Sequence, residues 1–236
     1  MLLSFLQVEA EALAGAAVPQ QEELSFSLID MAVKGGWLML VLLALSVVAI
    51  YIFAERVVAI RKASQIDKNF IKDVNDYLLS GKVRSAKMLC RRSDSSIARM
   101  IEKGVDRIDK PLDDIRTAVE NVSNLEVAKL EKGLPILATI SGGAPMIGFL
   151  GTVMGMVQAF FNMAQAGNNI DITLLSGGIY TAMVTTVGGL IVGILAYFGY
   201  NYLTAEVSGV VSKMEASTIS FLDAVQAKKD AKDEED

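Results

Sequence analysis

The chain has 236 residues, is 52% hydrophobic and has a mean hydropathy of +0.41, more apolar than an ordinary soluble domain of this size. A net charge of -5 and a pI near 4.9 speak against a nucleic-acid binder. There is no histidine and one cysteine, Cys90, which rules out zinc sites, Cys–His catalysis and internal disulfides. No side chains pair a nucleophile with a base, so neither an enzyme nor a cofactor is expected.

Residues 1–34 are read as an outer, interfacial segment. Within it, residues 2–17 suit an amphipathic helix on the membrane surface. The alternative is a cleaved signal, although Glu9 and Glu11 interrupt the apolar run and no basic n-region precedes it. Pro19 breaks this helix, and a second short one starts near Ser25 or Ser27.

The first membrane span is residues 35–54, uncharged between Lys34 and Glu55 and about 30 Å long as a helix. Trp37 and Tyr51 sit near its ends as interfacial anchors, and its Leu- and Val-rich surface suits lipid. Residues 55–132 then carry most of the chain's 22 basic residues. Their pattern is helical: Gly81 ends one helix, Ser93 or Ser95 caps another, and Pro111 opens a third. From there Ile115, Val119, Val122, Leu125 and Leu130 keep helical spacing with no stop before the second span. The charges form the solvated face of a cytoplasmic helical domain, with a partner-docking surface as the alternative.

Residues 133–164 form the second span, 165–174 a turn, 175–203 the third span, and 204–236 a C-terminal helix and tail. Leu203, Val207, Val210, Met214, Phe221 and Val225 carry the helical spacing of the third span beyond the bilayer. Basic residues concentrate in the middle loop and the tail. The N terminus is therefore outside, and the loop and C terminus are inside. The fold class is an all-α membrane protein, with three transmembrane helices and long helical cytoplasmic extensions.

On the second span Pro145, Gly148, Thr152, Gly155 and Ala159 share one helical face. On the third, Gly178, Ala182, Thr186, Gly189, Gly193 and Ala196 form a matching stripe, with Thr181 and Thr185 beside it. The small-xxx-small pairs Gly151/Gly155 and Gly189/Gly193 are read first as helix packing. Pro145 leaves the carbonyl of Ser141 without its helical donor. No Asp, Glu, Lys, Arg or His lies inside any span, whereas a proton path through lipid needs an ionisable group. The chain offers hydroxyls at Thr152, Thr185 and Thr186. Either it conducts nothing, as a scaffold would, or a partner brings the carboxylate.

GLPILATISGGAPMIGFLGTVMGMVQAF (residues 133–160) and GIYTAMVTTVGGLIVGILAYFGYNYL (residues 178–203) closely resemble the MotA/TolQ/ExbB proton-channel family. Three spans with a large loop after the first fit its ExbB/TolQ branch. The resemblance implies a homo-oligomeric inner-membrane motor subunit, a pentamer around a dimer of a single-span ExbD or TolR partner whose membrane aspartate carries the proton. The N terminus would be periplasmic. Work would pass to TonB, in outer-membrane transport, or to TolA, in the Tol-Pal envelope system. Thr152 in GTVMG and Thr186 in TTVGG match the family's pore threonines. Thr181 stands where many ExbB-type chains carry a glutamate, which deepens the dependence on a partner's carboxylate.

Overall fold

In the computed structural model residues 36–67, 69–166 and 172–233 are described; the expected surface helix, the start of the second short helix and residues 167–171 of the expected 165–174 turn lie outside them, and the two ends of that turn are helical. Among the described residues every regular element is an α-helix. They are α1 (Trp37–Ser64), α2 (Phe70–Leu79), α3 (Val83–Arg92), α4 (Ser96–Val105), α5 (Leu112–Glu131), α6 (Leu134–Ala166) and α7 (Ile172–Asp233). Three stretches are long and apolar enough to cross a membrane, centred on α1, α6 and the first half of α7.

The helices outrun their apolar segments. α1 continues through Arg61 and Lys62, and α7 is a single rod of 62 residues, about 93 Å long. Along its charged half Leu203, Val207, Val210, Met214, Phe221 and Val225 are all buried, so one apolar stripe serves first the membrane helices and then a soluble-type core. That core is made by α2 to α5 packing around the lower ends of α1 and α7, with Val74, Leu78, Met100, Ile101, Ile115 and Val119 fully buried. Gly104 lets Phe221 lie against α4, for a Cβ there would run into the ring edge at Cε1 and stand 2.7 Å from its Cζ and 2.8 Å from Val119.

Local chemistry sets the breaks. Gly81 follows α2 with φ 73°, a conformation that favours glycine. Ser95 caps α4, its Oγ accepting from the Ala98 N–H at 3.2 Å. Pro111 lies one residue ahead of α5 rather than in its first turn. The expected uninterrupted run from α5 into α6 is broken at Lys132–Gly133, where Gly133 takes φ 88°. Leu125 is exposed, contrary to expectation, and Glu126 takes the inward position beside it.

Candidate functional site in the paired membrane helices

α6 and α7 run antiparallel and meet through their small residues. Built onto Gly193, a Cβ would lie 2.5 Å from the Pro145 ring. On Gly189 it would lie 2.6 Å from the Ala144 carbonyl oxygen and 2.9 Å from the Gly148 Cα. On Gly151 it would lie 2.7 Å from the Thr185 Cβ, on Gly155 2.8 Å from the Ala182 Cβ, and on Gly178 2.6 Å from the Ala159 Cβ. The two backbones are thus in contact along several turns. Lipid supplies no hydrophobic drive between helices, so such close packing is what holds the pair.

A polar node sits in the middle of this seam. The Thr186 hydroxyl donates to the Gly148 carbonyl at 3.0 Å. The Thr185 hydroxyl, 2% exposed as a residue, donates to Ala182 O at 2.7 Å and lies 3.5 Å from the same Gly148 oxygen. Two threonines of α7 therefore converge on one carbonyl of α6. Thr152, a turn beyond Gly148, donates to Phe149 O of its own helix at 2.6 Å and does not join the node. Thr181 lies one turn from Thr185 towards the N-terminal end of α7, half-buried. The carbonyl of Ser141, freed by Pro145, faces Gly193, where a Cβ would come within 3.0 Å of it. Hydroxyls and carbonyls can relay or hold a proton donor's hydrogen bond, but none of them titrates near neutral pH.

Two features are invisible to stripe reading. Gly188 and Gly189 face different neighbours: a Cβ on Gly188 would lie 2.8 Å from the Met39 methyl of α1. Consecutive glycines in a span were the available signal. Towards the charged domain, α1, α6 and α7 leave an apolar cleft of about 430 Å³ lined by Phe53, Leu137, Ala196, Gly199 and Tyr202 among others.

The second feature is an ionic cluster around the buried Glu126 beneath the spans. Glu126 accepts from Arg99 Nε at 2.9 Å and from Lys129 Nζ at 2.6 Å. Burial alone would raise its carboxyl, but the hydrogen bonds from Arg99, Lys129 and Ser96 prevail and hold it at about 2. Arg56, at the foot of α1, donates to the Lys129 carbonyl at 2.9 Å and pairs with Glu55. This chain of contacts ties α1, α4 and α5 together just below Gly133, and so fixes where α6 enters the membrane.

Comparison with known proteins follows the same lines. Residues 92–216 match the model of the MotA/TolQ/ExbB proton channel family. A protein of Methanothermobacter thermautotrophicus described as an ExbB homolog in biopolymer transport is 26% identical over 190 residues, covering 80% of this chain and 67% of that one. An ExbB-like biopolymer transport protein of Synechocystis is 28% identical over 180 residues, covering 75% and 71%. The Tol-Pal system protein TolQ of Haemophilus influenzae is 33% identical over 93 residues, covering 39% and 40%.

Proposed function

The chain belongs to the MotA/TolQ/ExbB proton channel family, and from that premise we propose that it is the ExbB-like subunit of an inner-membrane motor. It works as a homo-oligomer, a pentamer, around a dimer of a single-span ExbD- or TolR-type partner. The carrying observation is the convergence of Thr185 and Thr186 on the Gly148 carbonyl, in two spans that hold no Asp, Glu, Lys, Arg or His. Such a wall can hydrogen-bond a carboxylate but cannot replace one, so the titrating group belongs to the partner. Thr152 and Thr181 line the same conduit about one turn from the node, both on the side of the α6–α7 connection. The client is TonB, and proton-motive force drives TonB-dependent outer-membrane transport. A TolQ-like role in a Tol-Pal system is the second reading, favoured by the similarity to the Haemophilus protein.

Valine in place of Thr152 or Thr186 tests the proposal. The Thr186 hydroxyl makes a bond between membrane helices, worth about 0.6 kcal/mol, and that of Thr152 bonds only within its own helix, so neither loss should dissolve the assembly. The variants should therefore assemble and yet lose iron-siderophore uptake; normal uptake in both would count against the role. Proton flux into liposomes holding the chain with its partner separates a channel from a non-conducting scaffold, which gives none.

A further inference from the structure

Two exposed surfaces of the charged domain stand at one height on opposite flanks. On α3, Arg84, Met88 and Arg92 follow at four-residue steps on the side opposite the buried Ala86 and Cys90. Their neighbours Lys87 and Arg91 pair with Asp106 and Glu102, whereas Arg84 and Arg92 make no ion pair among the described residues. Met88 is 62% exposed between them. This is a stripe of two free cations around one apolar side chain.

On the other flank α5 and α7 leave a groove of about 470 Å³, lined by Glu120, Ser123, Asn124, Glu215, Thr218 and Ile219. Both carboxylates are exposed and make no ion pair among the described residues; Arg116, a turn from Glu120, does not line the groove. Ile219 is 62% exposed. The groove thus presents two free anions around one apolar side chain, the complement of the α3 stripe.

The positions allow two copies to use both surfaces at once. α3 packs chiefly on α2 and α4. α2 meets α7 where Asn75 donates to the Ser220 carbonyl at 3.2 Å, and Ser220 points about 140° around α7 from Glu215. Lys62 pairs with Asp94, just past α3, at 2.9 Å, and Lys213 reaches Ser64 at 3.4 Å. The Arg92 end of α3 therefore lies level with Glu215, two residues beyond Lys213.

We propose that the Arg84–Met88–Arg92 stripe of one copy docks in the Glu120–Glu215 groove of the next, closing the charged domains into a head-to-tail ring beneath the spans. Neither surface complements itself, so the contact is heterologous, the kind that closes a ring when its rotation permits. The occupant of the groove is a second copy of this chain. The inference rests on the homo-oligomeric part of the reading above and names the surface that reading leaves open.

The test is disulfide cross-linking of the full chain in native membranes, with Met88→Cys and Ile219→Cys combined and the buried Cys90 left in place. A ladder of multimers is expected from the double variant and none from either single one. Adding Arg92→Glu or Glu215→Arg should slow cross-linking about threefold, and adding both should restore it. No ladder, a ladder indifferent to these charges, or a ladder from Met88→Cys alone would overturn the contact. The native mass of the detergent-extracted complex separates the two failures. An intact oligomer without the ladder sinks only this surface, while a monomer sinks the homo-oligomeric reading with it.

Discussion

Two side chains of the charged domain carry their chemistry by burial. Glu126 is 2% exposed, while Arg99 and Lys129 reach it from the exposed surface, so removing its carboxylate takes away three charge-assisted hydrogen bonds and leaves both cations to water. Losing hydrogen bonds to a buried carboxylate costs about 2 kcal/mol, and Glu126→Ala should lower the thermal midpoint in detergent accordingly. Its pKa is depressed from 4.5 to about 2, so its stabilisation is complete above pH 4.5 and fades as pH falls towards 2. A melt series across that window should lose stability in the parent and stay flatter in Glu126→Ala. Cys90 is the opposite case: burial, with Glu102 and Asp106 nearby, pushes its thiol up to about 12. At pH 8 a maleimide should label it about a thousandfold more slowly than an exposed cysteine, with denaturant restoring the ordinary rate.

At the scale of elements, the seam of α6 and α7 separates glycines by what they touch. Gly189 lies against backbone, which cannot give way, whereas nothing lies within 4 Å of a Cβ built on Gly142. Gly189→Val should split the pair and sensitise the detergent-solubilised protein to protease; Gly142→Val should leave the resistance of the parent. Equal behaviour of the two would mean that this packing does not hold the helices. Spacing made the stripes legible, because residues three and four apart share a face in any helix. Their register was not: nothing in sequence sets Gly148 against Thr186 and Gly189. Periodicity also put Leu125 inward and left Glu126 among the solvated charges, since an acid is read as exposed until its partners are known. Likewise the junction of α5 and α6 reads as continuous from its apolar spacing, although Gly133, with φ 88°, and Pro135 in the first turn of α6 mark one helix ending and another starting.

The whole molecule is joined by one rod. α7 passes from the threonine node through Leu203 to Phe221 and Val225 without a break, while α5 and α6 are separated at Gly133. A force or rotation applied to the membrane half therefore reaches the charged domain through α7 as a rigid body, whereas the other route has a joint. Ala205 is exposed and stands between the two halves, so a change there alters the rod without touching either core. Ala205→Pro removes the bond to the Asn201 carbonyl and crowds it, at a cost of about 3 kcal/mol, and bends the helix locally. The packing of Gly148 on Gly189 and of Phe221 on Gly104 lies well away from the bend, and both halves should keep their folds. If coupling runs through the rod, this variant should assemble at parental levels, pass protons with its partner in liposomes, and fail in client-dependent uptake. Uptake at the parental level from a variant shown to be bent would place the transmission elsewhere, in α1 or across the Gly133 joint.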